Sequence, residues 1–173
     1  MNGRLLASMV LAALIGAGAG IGGYMLYESR LQSAGAEPRP AFQLPDLDDR
    51  LQSVNQWDGK VLVLNFWATW CPPCIREIPM LVEIQQELGE QGLQIVGIAV
   101  DKRDPARSFV HQLKVNYPVL YGVQSALEVS LLYGNDAGTL PHTAIVDRQG
   151  YIRHIIRGEL EREQLLELVT SLL

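Results

Sequence analysis

Apolar residues fall along this chain in runs of different length, and each length predicts a different element. The longest, Leu5 to Tyr27, holds 23 residues without one charge. That is enough to cross a bilayer as a helix. VLVLNFW over Val61–Trp67 and LQIVGIAV over Leu93–Val100 are shorter and apolar at nearly every position. Such runs predict strands buried on both faces. Between them the period changes. Ile75, Ile78, Leu81, Val82 and Leu88 form one apolar face of a helix from near Cys71 to about Leu88. Pro79 lies inside it and is expected to kink it, because its ring meets the carbonyl of Ile75.

Further along, Asp104-Pro105 predicts a helix start, with Asp as N-cap and Pro in the first helical position. A short strand is expected near Pro118–Tyr121. Ser125 and Glu128 have capping-box spacing for a helix through Leu132. HTAIVDRQGYIRHIIR predicts two strands joined by a turn at Asp147–Gly150, and Leu160–Leu172 a last helix. The order β-α-β-α-β-α-β-β-α predicts an α/β sandwich whose first strands run parallel and whose terminal hairpin finishes the sheet.

Flanking charge orients the long apolar run. Arg4 and the amino terminus precede it, and Glu28 and Arg30 follow. The more positive flank is expected to stay in the cytoplasm. Ala34-Gly35-Ala36 offers a cleavage site for a signal peptide, yet the run exceeds the usual h-region and the charged Glu28-Ser29-Arg30 would precede the cut. A retained anchor is the preferred expectation. Ala12, Gly16, Gly20 and Gly23 put small residues along that helix, a pattern more often compositional than a dimer face. The expected organisation is a cytoplasmic tip at 1–4, an anchor at 5–27, a Pro-containing linker at 28–41 and one domain at 42–173. A net charge of −5 and scattered Lys and Arg argue against nucleic-acid binding.

The only cysteines, Cys71 and Cys74, lie three apart at the predicted helix start. In an oxidising compartment they can close a disulfide. Cys71 sits where unpaired backbone N–H groups and the helix dipole favour a thiolate. Cys74, one turn inside, is expected to be less exposed. That asymmetry suits exchange: Cys71 attacks a partner disulfide and Cys74 resolves the mixed disulfide. Pro72 and Pro73 fit a first turn that needs few donors. A zinc site needs about four ligands, and beyond the pair only His111, His142 and His154 are available as histidines, so no metal is expected. A purely structural disulfide would close too small a loop to stabilise much. Cu(I) handling by two thiolates remains an alternative from another class.

FWATWCPPC, Pro79 eight residues after Cys71, and LPHT at Leu140–Thr143 resemble the thioredoxin superfamily. Within it the chain is most similar to the membrane-anchored TlpA/ResA-like and CcmG/DsbE-like thiol–disulfide oxidoreductases. The anchor precedes a single domain, Asn65 stands at the position of the thioredoxin buried acid, and Asp101 lies 40 residues before Pro141. The resemblance implies a thioredoxin-like three-layer α/β sandwich with a mixed central sheet and an extra helix–strand insertion. It implies that Pro141 is a cis-proline facing the disulfide, that Leu140 pairs its backbone with substrate, and that Glu77 relays a proton to Cys74. Trp70, Pro72, Pro73 and His142 are the further expected substrate contacts, with an ordinary strand residue as the alternative for His142. CcmG-like members carry Glu where this chain has His142, which weakens that specific assignment.

The resulting expectation is a protein disulfide reductase, single-pass in the bacterial inner membrane, with its catalytic domain in the periplasm or extracytoplasmic space. Its substrates would be disulfide-containing proteins, apocytochrome c in cytochrome c biogenesis among them. A membrane thiol reductase would resupply electrons. No flavin, nicotinamide or metal motif is present, so the cysteine pair is the expected redox centre and no cofactor is expected. A disulfide-inserting oxidant would use the same residues. A peroxidase reading fails on spacing, since Thr69 is too close to Cys71.

Overall fold

The computed structural model describes residues 37–173 together with Gly20 and Gly23. Apart from those two glycines, the expected anchor lies outside the described residues, as do the cleavage site at 34–36 and the linker from 28 to 36. Among the described residues no helix is long and apolar enough to cross a membrane.

From Glu37 to Leu173, eight strands and four α-helices follow in order. They are β1 (Glu37–Pro38), β2 (Gln43–Pro45), β3 (Leu51–Ser53), β4 (Val61–Trp67), α1 (Pro72–Leu88), β5 (Leu93–Ala99) and α2 (Arg103–Gln112). Then come β6 (Val119–Tyr121), α3 (Gln124–Leu132), β7 (His142–Val146), β8 (Tyr151–Arg157) and α4 (Arg162–Thr170). The main sheet has the order β1-β8-β7-β4-β5-β6, and β2 and β3 form a separate hairpin. Strands β4, β5 and β6 are parallel, as their helical crossovers require, whereas β7, β8 and β1 add antiparallel pairs.

Alternation along β4 divides the core. Val61, Val63 and Trp67 face one apolar cluster, with α1 and α4; Leu62, Leu64 and Phe66 face the other, with α3 and the β2 hairpin. Both faces are covered, which is why the run is apolar throughout. Helix α1 buries Cys74, Glu77, Ile78, Leu81, Ile84 and Leu88 on one side. The helix continues through Pro79, which is exposed.

Several expectations are corrected. The terminal hairpin is not among them: β7–β8 extends the sheet beyond the parallel strands, on the β4 side, with only β1 outside it. Strand β7 is buried at all five positions and sits beside β4, while three-residue β6 takes the edge. The folded unit begins at Glu37 rather than Phe42. Strand β1 pairs with Tyr151 and Ile152, covering an edge that β8 would otherwise expose, and Arg39 bonds Gly150, Asn55 and Asp58. Helix α2 starts at Arg103 with Lys102 as N-cap, since Asp101 takes the Lys102 N–H and turns the chain earlier; Asp104 falls inside the first turn. The capping box at Ser125 is absent. Val123 is the N-cap of α3, and Glu128 accepts a hydrogen bond from the Gln124 side chain instead. Helix α4 starts two residues late because Leu160 precedes it as a buried anchor with its N–H directed to Glu77.

Candidate active site

Strand β4 ends at Trp67, and the loop Ala68–Trp70 delivers the chain to α1. Cys71 is the N-cap of that helix in an extended conformation, with Pro72 and Pro73 in its first turn. Prolines are tolerated there because first-turn N–H groups have no intrahelical acceptor. Cys71 and Cys74 form a disulfide with Cα atoms 5.3 Å apart. The Cys74 N–H donates to the Cys71 sulfur at 3.4 Å. Cys71 keeps 5% of its surface and Cys74 none, so the expected asymmetry holds. Beside them Trp70 is 67% exposed and Pro72 is exposed, with Pro73 half-buried.

Leu140–Pro141 is a cis peptide bond. The Pro141 carbonyl accepts the Gly158 N–H at 2.9 Å. Gly158 has φ 98°, a left-handed backbone that glycine enters without a Cβ penalty. Leu140 is half-buried and packs against both core clusters, including the one that holds the two cysteines.

Glu77, one turn after Cys74, is wholly inside the protein and not a solvated helix residue. Its Oε1 accepts from Asn65 Nδ2 at 2.7 Å, and its Oε2 accepts from the Leu160 N–H at 2.9 Å. Burial raises its pKa to about 7; the two hydrogen bonds oppose that shift, and the Glu159 charge reinforces it. Asn65 Nδ2 also reaches Thr143 Oγ1 at 3.0 Å, while Asn65 Oδ1 is buried without a partner. Half a turn of that amide would present Oδ1 to a protonated Glu77 and to the Thr143 hydroxyl. The site therefore has a hydrogen-bonding partner for either protonation state of Glu77. Tyr117 is buried nearby, and burial with the Glu77 charge holds its hydroxyl above its ordinary range.

His142 is corrected. Alternation along β7 turns Thr143 toward Asn65 and turns His142 to the opposite face, against Phe66 with ring centroids 5.7 Å apart. The ring is fully buried and its Nε2 pairs with the Tyr133 carbonyl at 2.9 Å. Burial lowers its pKa, and it offers no surface to a docked chain.

One clamp went unnoticed in the sequence. Asp101 Oδ2 accepts from the Thr69 N–H at 3.0 Å and the Thr69 hydroxyl at 2.6 Å, and its Oδ1 accepts from the Lys102 N–H. It thereby fixes the loop that carries Trp70 and Cys71. Its only sequence cue was a carboxylate directly after an apolar strand. Asp101→Ala is expected to lower stability by about 3 kcal/mol, since three hydrogen bonds to its carboxylate are lost and the half-buried Thr69 N–H is left without its acceptor. A denaturant midpoint equal to that of the parent protein would show that the clamp contributes nothing.

A Redoxin family model matches residues 34–171 of the chain. The thiol-disulfide oxidoreductase ResA of Bacillus cereus is 29% identical over 171 residues, covering 98% of this chain and 96% of its own. The ResA of Bacillus thuringiensis is 33% identical over 127 residues, covering 73% and 71%. Among solved structures, a thiol:disulfide interchange protein of the thioredoxin family from Chlorobium tepidum has a TM-score of 0.70 at 27% identity, covering 79% of this chain and 96% of its own. The mixed sheet with helices on both faces is thus thioredoxin-like.

Proposed function

Because the chain belongs to the Redoxin family and is a thiol–disulfide oxidoreductase of the ResA type, we propose that it acts as a reductant of disulfides in partner proteins. In this reading the Cys71 thiolate attacks one sulfur of the partner disulfide. That bond breaks, and the partner's other sulfur leaves as a thiolate and takes a proton from water. Cys74 then gives its proton to the Glu77 carboxylate and attacks the Cys71 sulfur. The second partner thiol leaves, and the Cys71–Cys74 disulfide remains. Two electrons pass to the partner, and a membrane thiol reductase outside the cytoplasm resupplies them. The anchored domain works on the periplasmic side of the inner membrane, and apocytochrome c is the proposed substrate, in cytochrome c biogenesis.

The observation that carries this direction is the burial of Glu77 behind the pair. Strong oxidants of this type stabilise their reduced form. Here one N–H faces the Cys71 sulfur, whereas a carboxylate shares the buried helix face of Cys74 and disfavours a second negative charge there. The proposed function needs no bound cofactor.

The test is the reduction potential of the full chain in detergent, equilibrated against graded thiol buffers. A value near about −270 mV is expected for a reductant, and a value near about −120 mV would reassign the protein to disulfide insertion.

A further inference from the structure

Between α3 and β7 runs a segment, 134–140, whose residues 136–139 are all exposed. Asn135 is the exception. It is fully buried, and so is Ser130 on α3, to which it bonds. A buried amide costs free energy unless its donors and acceptor are paired, and here they are. Asn135 Nδ2 donates to the Thr139 carbonyl at 2.9 Å and to Ser130 Oγ at 3.3 Å, and its Oδ1 accepts from the Thr139 N–H at 3.0 Å. Its backbone is tied as well: the N–H donates to the Ser130 carbonyl at 3.1 Å, and the carbonyl accepts from the Gly138 N–H at 2.9 Å. The side chain thus grips both backbone groups of Thr139, as a neighbouring strand does.

What this grip controls follows from the register of the sheet. Phe66 pairs with His142, so Pro141 lies level with the end of β4, where the loop to Cys71 begins. Leu140 packs against the cluster that holds both cysteines. The far side of Pro141 is fixed independently, since its carbonyl accepts the Gly158 N–H and the next residue, His142, pairs with the Tyr133 carbonyl. On the near side the hydrogen bonds run through Asn135 and Thr139. Among the described residues the Leu140 N–H and carbonyl make no hydrogen bond, so both are open to an extended chain laid along them. Thr139 adjoins Leu140, and a shift of one turns the peptide groups of the other.

We propose that Asn135 is a positioning residue for exchange with polypeptides: by holding Thr139 it fixes the direction of the Leu140 N–H and carbonyl, on which an extended substrate is aligned for attack by Cys71. The proposal rests on the reading of the protein as a reductant of protein disulfides and adds to it a residue that acts without touching substrate or sulfur. Misplacing a reacting pair by about 1 Å costs on the order of 100-fold in rate, so a loosened Thr139 is felt at Cys71.

The pre-reduced full chain in detergent is mixed with a synthetic peptide that carries an internal disulfide or with hydroxyethyl disulfide, which has no peptide group to align. Asn135→Ala is expected to lower the second-order rate constant on the peptide about tenfold or more and to leave that on hydroxyethyl disulfide at the parent value. Ser130→Ala removes a buried hydrogen bond from the same cluster but leaves Thr139 held, and is expected to keep both parent rates. Equal losses on both probes in Asn135→Ala, or equal losses on the peptide in both variants, would show that Asn135 only stabilises the fold, and overturn the proposal. An unchanged peptide rate in Asn135→Ala does the same. No reaction of the parent protein with the peptide overturns the reductant reading and this proposal with it. Asn135→Asp decides the matter even if Asn135→Ala does not fold. Ionised, its carboxylate faces the Thr139 carbonyl, and the ratio of peptide rate to hydroxyethyl disulfide rate is expected to fall below that of the parent protein. Protonated at lower pH, it donates there as the amide does, and the ratio is expected to recover. A ratio equal to the parent's at every pH overturns the positioning role.

Discussion

Cys74→Ser is expected to produce a protein that joins its substrates and does not let them go. Cys71 keeps its place at the helix start, with the residue-74 N–H still directed at its sulfur, so attack on a partner disulfide proceeds. The second step has no nucleophile, because a serine hydroxyl does not displace a thiol from a mixed disulfide. Steady-state turnover should fall to background, while mixed disulfides accumulate at one partner per chain. Cys71→Ser should lose turnover without trapping, since Cys74 is wholly buried whereas Cys71 keeps 5% of its surface. The measurement is acid quenching of cells, alkylation of free thiols, and electrophoresis with and without reductant. Reductant-sensitive adducts on Cys74→Ser and none on Cys71→Ser would support the order of attack. Equal trapping by both variants would show that either sulfur can lead, and no adduct on either would remove protein disulfides from the substrate list.

Glu77→Gln should have two separable effects. The first is kinetic. A carboxyl with a pKa of about 7 exchanges its proton near neutral pH, where a general base is most effective. Losing it should slow release of the mixed disulfide about 100-fold at neutral pH and remove the inflection near pH 7 from the rate profile. The second effect is on stability. In the folded protein Glu77 holds its proton to about pH 7, against an ordinary value of 4.5. The folded state therefore binds more protons than the unfolded chain between those values, and stability falls as pH rises. The contribution is complete below about pH 4.5 and gone above about pH 7. It is worth about 3 kcal/mol across a shift of 2.5 units, that is 7 minus 4.5. Glu77→Gln should lack that slope and be the more stable form at pH 8, since the Asn65 amide can turn its unpartnered Oδ1 to the new NH₂. Denaturant titrations at pH 4.5 and pH 8 check the sign. Parallel pH dependence in both proteins would place the titration elsewhere, and an unchanged rate profile would remove Glu77 from the proton path.

What the sequence determined about this protein is what neighbouring residues decide among themselves. Two cysteines three apart, with two prolines between them at a helix start, are close enough to bond, and the structure closes them. The unbroken apolar runs at 61–67 and 93–100 required burial on two faces, so strands beneath helices were legible from composition alone. Period-two alternation already implied that His142 and Thr143 face opposite ways; which of them would meet the helix bearing the cysteines depended on how β7 seats against β4. Only the tertiary structure decided the rest. Helical spacing puts Glu77 on the side of Cys74 without saying whether that side meets water or core. The answer comes from Asn65 on β4 and from the Leu160 N–H, 83 residues further along, which close over it and shift its proton affinity. A cavity of about 430 Å³ beside the disulfide likewise joins Trp70, Val123 and Leu140 from separate loops and helix ends. Desolvation and cavity shape are properties of all the atoms around a point, and in a folded chain most of those atoms come from residues far away in the sequence.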